Sequence, residues 1–310
     1  MTPATTTSVR KVEIVMLAIV LIWGVNTPIM KIGLNAMDPL VYNAFRMVIA
    51  TLLSGGVMLA SGLYRPMPAK DLSHLGAISV FGFFFNQIFI IYGMDVTTSG
   101  NAALILATLP VNVALINRLF GYESLSPRTA MAIALSLGGV VLTVAGAGKE
   151  ISLTGPHLTG AVLILIGQCG YGYYTVAFRR LTDSYSLHQI MASVFAVNAV
   201  LFALIAVPGL ARTDLAAVPA AGWLSVVFSA SLALAVANFT WIWAVKALGS
   251  TRASLYPNLC PIVSIVFAWL WLDESFGLLQ AAGGVVIFLG LWLARSPSPS
   301  PSATTKTRKG

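Results

Sequence analysis

Between residues 13 and 295 the chain passes through one long apolar run after another, and this dictates the solvent in which it can fold. Ten runs lie near 13–32, 41–61, 74–94, 98–118, 128–146, 157–178, 187–208, 223–243, 252–272 and 277–295. Each is long enough to cross about 30 Å of hydrocarbon with some tilt. Inside hydrocarbon they must be helices, because an unpaired backbone group there costs several kcal/mol. The connections leave no room for a soluble catalytic domain. Three boundaries are loosely set: only DVT separates the third and fourth runs, only DESF the ninth and tenth, and the eighth can slide within 220–250.

Composition agrees. Only 9% of the residues are charged, whereas a soluble domain needs roughly a quarter to cover its surface. The first run does not behave as a cleaved signal, because span after span follows it. Cys169 and Cys260 are the only cysteines and lie inside apolar runs, so neither a disulfide framework nor a cysteine metal motif is expected. The formal charge of +8 does not point to nucleic acid, because the basic residues stand in ones and twos between the runs, as topology determinants do.

Ten spans put both termini on one side. If that side is cytoplasmic, it receives Arg10, Lys11, Arg65, Lys70, Arg118, Arg128, Arg179, Arg180, Lys246, Arg252, Arg295, Lys306, Arg308 and Lys309. The other side receives only Lys31, Lys149 and Arg212, and Arg46 lies within a span. Cytoplasmic termini are therefore expected.

The chain also repeats itself. PVNVALINRLFGYES at 110–124 returns as PIVSIVFAWLWLDES at 261–275, an offset of 151 residues. The same shift lays Ser99 on Ser250, Gln87 on Asn238, Tyr92 on Trp243 and Gly139 on Gly290. The expected fold is thus an all-α integral membrane protein of ten transmembrane helices, arranged as two five-helix repeats over 13–146 and 157–295. A short cytoplasmic N-terminus, 1–12, precedes them. The tail 296–310, rich in proline and serine, follows and is expected to be disordered. An odd number of spans inverts the second copy, and inverted repeats give a transporter two near-equivalent states open to opposite sides. A duplicated passive scaffold is the alternative.

Several residues stand out against this apolar background. Pro110 and Pro261 fall inside apolar runs, where each removes a backbone donor; they are read as helix bends shaping a cavity or rocking interface, or as static kinks. Glu123 and Glu274 close the fourth and ninth spans. Each either caps the N-terminus of its next helix or pairs across the bundle, with coupling-ion chemistry as the alternative. Arg46, inside span two, either recognises a carboxylate or another anion with its fork of donors, or snorkels to the headgroups, or ties its helix to a neighbour. Asn26, Asn86, Gln87, Asn112, Gln168, Asn238 and Asn258, with Asn117 and Asn198, spread uncharged amides through both halves. They suit a path for polar or zwitterionic solutes, and interhelical hydrogen bonding is the alternative for each. In GQCGYGYY, residues 167–174, Tyr171 and Tyr173 with Tyr174 offer a stacking wall for a solute or form an interfacial aromatic belt.

His74, His157 and His188 form no metal-spacing motif, and no phosphate-binding loop is present, so no enzyme, metal or cofactor is expected. Energy must then come from an existing gradient. Proton exchange is the default expectation, with no carrier residue identified because no deeply placed Asp or Glu is apparent; facilitated diffusion stays open.

NAALILATLPVNVALINRLFGYESLS and RASLYPNLCPIVSIVFAWLWLDESF, with LIWGVNTPIMKIGL and YNAFRMVIA nearer the N-terminus, resemble the repeats of the EamA-type transporters of the drug/metabolite transporter superfamily. The resemblance covers about residues 12 to 295. It implies ten helices, inverted five-plus-five topology, a bacterial inner-membrane location, and usually efflux of small metabolites such as amino acids. It names no substrate. The second repeat lacks an arginine at the equivalent of Arg46, for which Gln189 is only a loose counterpart, so any role of Arg46 is asymmetric. The expected function is a secondary exporter of small polar or amphipathic metabolites, amino acids first, by alternating access, with membrane lipids around it. The alternatives are an importer or drug-efflux protein of the same fold, or a non-transporting structural or lipid-handling membrane protein. Substrate, direction and oligomeric state stay open.

Overall fold

The apolar runs fold as helices, and polar or proline-bearing connections end them. The computed structural model describes residues 9–96, 102, 105–123, 125–146, 155–271 and 277–294. Every regular element among them is helical. Helix α1 (Val9–Leu34) begins inside the segment read as the N-terminal extension. Asp38 then caps α2 (Pro39–Ala60), accepting from the Leu40 and Val41 amides at 2.8 and 3.3 Å, with Pro39 in the first turn where no donor is needed. Helix α3 (Ala69–Ala77) continues through a π-helical stretch, Ile78–Phe84, into α4 (Phe85–Val96). Helix α5 (Leu109–Phe120) stops at Gly121, whose φ of 68° lets the chain turn left-handed. Then come α6 (Pro127–Gly146) and α7 (Pro156–Ala177), the latter tightening into a 3-10 stretch, Phe178–Asp183.

The second half proceeds in the same order. After α8 (Leu187–Leu210), helix α9 (Ala220–Phe228) passes through a π-helical stretch, Ser229–Val236, into α10 (Ala237–Leu248). Helix α11 (Ser250–Ala253) and a 3-10 stretch, Tyr256–Leu259, lead into α12 (Cys260–Trp271), and α13 (Leu278–Ala294) ends the described chain.

Among the described residues, seven helices or continuous helical rods are long and apolar enough to cross a membrane, and α5 and α13 are shorter. The fourth and ninth runs are therefore not single rods: a turn at Ala107 and Thr108 precedes α5, and the ninth run is divided among α11, the 3-10 stretch and α12. This corrects the reading of the two repeated prolines. Pro110 occupies the first turn of α5 and Pro261 the second position of α12. Neither bends a helix interior; each starts a helix after an interruption, where a missing amide donor costs nothing.

Helices pair in a two-fold pattern. Helix α2 lies along α8, and α6 along α13; α7 packs on α4 and α5 as α1 packs on α10 and α12. The starts of α3 and α9, of the two π-helical stretches, of α5 and α12, and of α6 and α13 are each separated by the 151 residues of the sequence repeat. The α6–α13 contact is close because it is made by glycine. A Cβ on Gly139 would stand 2.7 Å from the Gly283 carbonyl oxygen, and one on Gly283 only 2.6 Å from that of Gly139. Helices in hydrocarbon have no hydrophobic force to join them, so such small-residue packing supplies the attraction. Leucines 52, 119, 204 and 224 point outward from the bundle, as a lipid solvent requires.

Candidate functional site

A cavity of about 230 Å³ lies between the two halves. Seven of the ten residues expected along a solute path line it: Asn26, Arg46, Asn86, Gln87, Gln168, Tyr171 and Asn238. Sequence spacing alone could not gather them, since they come from α1, α2, α4, α7 and α10. Trp23, Met30, Ile90, Met94 and Cys260 supply much of the remaining wall.

Most of the amides also hold helices together, so the two readings of them are not exclusive. Asn86 Nδ2 donates to the Gly167 carbonyl at 3.1 Å, and its Oδ1 accepts from Gln87 Nε2 at 3.2 Å. Gln168 Nε2 donates to the Leu106 carbonyl at 2.5 Å. The Tyr171 hydroxyl donates to Asn238 Oδ1 at 3.2 Å, and Asn238 Nδ2 donates to the Ala233 carbonyl at 3.1 Å. Trp23 Nε1 donates to that same carbonyl at 3.0 Å. Ala233 lies in the second π-helical stretch, whose wider winding gives up ordinary helical hydrogen bonds and leaves carbonyls for other donors. In the first such stretch the Ser79 carbonyl accepts from Asn198 Nδ2 at 3.3 Å. Asn26 Oδ1 is buried with no hydrogen-bond partner among the described residues.

Arg46 does not snorkel. It is only 3% exposed. Its Nη1 donates to Asn43 Oδ1 at 2.7 Å and its guanidinium lies 5.4 Å from the Tyr42 ring, both on its own helix. Its Nε is buried without a partner among the described residues. Asn43, missed in the sequence reading, was legible from its place one turn before the arginine.

Three expected path residues lie outside this lining. Asn112 Nδ2 reaches Thr108 Oγ1 at 3.5 Å, Asn258 Nδ2 donates to Ser136 Oγ at 2.8 Å, and Tyr173 is half-buried beside Phe120. Gln189 is occupied with the Arg65 backbone. Glu274 and the tail lie outside the described residues.

Beneath the cavity the aromatic side chains close ranks. Trp23 and Trp241 have ring centroids 5.4 Å apart, Tyr171 and Tyr174 5.3 Å, and Tyr174 and Phe178 5.9 Å. Trp241, Tyr174 and Phe178 are fully buried. Tyr171 and Tyr174 thus belong to an internal plug, which corrects the interfacial-belt reading for these two. On the other side of the plug is a second chamber of about 420 Å³, lined by Phe178, Thr175, Glu123, Arg179 and Lys246 among others.

At this second end acids of the first half bind the second half. Glu123 Oε1 accepts from the Ser250 amide and hydroxyl at 3.0 and 2.9 Å, and Oε2 accepts from the Thr251 amide at 3.3 Å. It therefore caps α11 from across the bundle and not the helix that follows it. Asn117 Nδ2 donates to Ser250 Oγ and Thr251 Oγ1 at 2.7 and 3.0 Å. Glu13, 8% exposed in α1, pairs with Arg252 at 2.5 Å. This pair corrects two expectations at once: an acid does lie buried in the first span, and Arg252 is more than a topology determinant. Nearby, outside the spans, Tyr185 donates to Asp71 at 2.7 Å, a bond that pushes its phenol above the usual tyrosine range.

The description of the EamA-like transporter family matches this chain twice, over residues 10–145 and 158–296. An "Uncharacterized transporter" of Archaeoglobus fulgidus is 28% identical, the match covering 91% of this chain and 96% of the relative. A "Probable terminal-alkyne amino-acid exporter" of Streptantibioticus cattleyicolor is 27% identical over 88% of this chain and 90% of the relative. A solved structure described as "Crystal structure of protein" superposes with a TM-score of 0.76 at 18% identity, covering 93% of this chain and 98% of that one. At that identity the likeness shows the fold alone.

Proposed function

The chain belongs to the EamA-like transporter family, and from that premise we propose that it exports small polar or amphipathic metabolites, amino acids first, by alternating access. A secondary transporter of small solutes is the coarse reading and family membership carries it. The finer reading rests on one observation: a cavity whose largely apolar wall carries amides and an arginine, and a second chamber, occupy opposite sides of an aromatic plug, with both halves of the chain contributing to each.

In this reading ten spans form two inverted five-helix units, 13–146 and 157–295, in a bacterial inner membrane with cytoplasmic termini. The two-fold pairing of helices and the recurrence of element starts support it. The cavity then faces the outside and the acid-sealed end faces the cytoplasm. Rocking of one unit against the other would open the lower chamber and close the upper one. A proton gradient is the driving force favoured, and export is supported by the amino-acid exporter among the relatives.

The test is reconstitution. Purified protein in liposomes should move radiolabelled amino acids without ATP, faster under an imposed pH gradient. Failure to move any member of a broad metabolite panel, under either gradient polarity, would reject transport and favour a structural or lipid-handling role. Accumulation in cells on overexpression, in place of depletion, would reverse the direction to import.

A further inference from the structure

Among the described residues, the cavity holds a cation without a counter-ion. A guanidinium keeps its proton under all ordinary conditions, and Arg46 is 3% exposed in the cavity wall. The partners the fold gives it are a neutral amide, Asn43, and the Tyr42 ring. No Asp or Glu stands among the described residues lining the cavity. Arg252, by contrast, has Glu13 at 2.5 Å. A buried charge is costly unless paired and hydrogen-bonded, so the arginine that lines the cavity and the one that does not are treated differently by the same fold. Nε of Arg46 is a buried donor with no acceptor among the described residues.

We propose that the transported solute itself supplies the missing charge: the cavity selects small solutes bearing a carboxylate, anionic or zwitterionic, and rejects solutes that carry only positive charge. This rests on the transport reading above and deepens it. A carboxylate is acceptor-only and matches the planar fork of an arginine. Asn43 holds Nη1 from one side, which orients the fork and leaves Nε for the ligand. Asn26 lines the same cavity, and its buried Oδ1, without a partner among the described residues, is an acceptor. It suits an ammonium, amide or hydroxyl donor on the same solute, which is why zwitterions are admitted and a second acidic residue is not needed. Trp23, Tyr171, Met30 and Ile90 offer the apolar body of the solute its contacts. Ring faces alone would welcome a quaternary ammonium; Arg46 makes the site hostile to it.

The experiment uses matched trios on leucine, phenylalanine and threonine: the free amino acid, its N-acetyl derivative, which is an anion, and its methyl ester, which is a cation. Tetraethylammonium is a further probe. Binding is read as thermal stabilisation of the purified full-length protein in detergent, and transport as flux in liposomes. For at least one body, the acid and the N-acetyl acid should bind, with the ester and tetraethylammonium weaker by roughly tenfold or more. Arg46→Gln should erase the acid-over-ester preference, and Arg46→Lys should keep part of it. Equal binding of acid and ester, tight binding of tetraethylammonium, or no carboxylate binding in the whole panel overturns the proposal. So does an unchanged preference in a folded Arg46→Gln protein. If Arg46→Gln does not fold, the wild-type ratios and Arg46→Lys still decide. Arg46-dependent binding of acids without flux would sink the transport reading and leave the carboxylate selectivity of the cavity standing, whereas flux of cations would sink that selectivity and leave transport standing.

Discussion

Glu13 and Arg252 meet in a 2.5 Å ion pair across 239 residues of chain, joining the first helix to the interrupted ninth run. Glu13 is 8% exposed, so the pair is not a surface bridge of negligible worth. With Glu123 holding Ser250 and Thr251, it fastens the segment after Gly249 to the first half at the end away from the cavity.

Breaking this latch should change which side reaches the cavity. Cys260 lines the cavity, and Cys169→Ser leaves it as the only thiol. In that background a membrane-impermeant maleimide should label Cys260 from the outside. Glu13→Gln should raise labelling from the cytoplasmic side several-fold, and the exchange Glu13→Arg with Arg252→Glu should restore the original pattern. Unchanged sidedness in Glu13→Gln would make the pair a static brace.

Glu123 should matter through its cap. It accepts three hydrogen bonds from the start of α11, and losing a capping acceptor costs about 0.5–2 kcal/mol. Glu123→Ala should lower thermal stability by about that amount, and Glu123→Gln by less, since its amide keeps one acceptor. Gly249 is linked to this contact. Its φ of 84° and ψ of 152° belong to a region open essentially to glycine, and a Cβ there would stand 3.3 Å from Glu123 Oε1. Gly249→Ala should therefore destabilise by about 1–3 kcal/mol, measured by the same melt.

The residues explain what could be read without coordinates. Arg46 was visible because a charge inside an apolar run has few explanations. Glu13 was not, because it sits two residues after Lys11 and reads as part of a headgroup region. Proline leaves the same trace whether it bends a helix or starts one, so the sequence does not show that Pro110 and Pro261 each begin a helix. The π-helical stretches have no side-chain signature at all. Nor does an amide announce its facing: Asn86 and Asn112 look alike in sequence, yet only the first lines the cavity. The offset of 151 was legible because several helix starts recur at it, among them those of α3 and α9, of α5 and α12, and of α6 and α13.

The α6–α13 seam should tolerate nothing larger than glycine at its centre. The atoms that a Cβ on Gly139 would meet include the Gly283 carbonyl oxygen and the Ile287 amide nitrogen, both backbone, so no side chain can swing aside. Gly139→Leu should cost about 1–3 kcal/mol from overpacking, read as loss of folded protein on heating in detergent. Gly138→Leu, one position away with open space around it, should be close to neutral.

Gln87 and Asn238 occupy equivalent places 151 residues apart, and both line the cavity, but they are not equivalent in what they hold. Among the described residues Gln87 has one side-chain bond, to its own neighbour Asn86. Asn238 joins three elements: it accepts from Tyr171 on α7, donates to the Ala233 carbonyl of the π-helical stretch, and shares that carbonyl with Trp23 on α1. A polar contact between helices in a membrane averages about 0.6 kcal/mol and reaches about 1.7 kcal/mol. Removing a partner also leaves the buried Tyr171 hydroxyl without its acceptor. Asn238→Leu should therefore lower stability by about 1–3 kcal/mol, and Gln87→Leu by well under that. A double-mutant cycle of Asn238→Leu with Tyr171→Phe should show positive coupling, because each change removes the same bond. Additive losses would mean that the 3.2 Å contact holds nothing, and that the asymmetry between the halves lies in Arg46 alone.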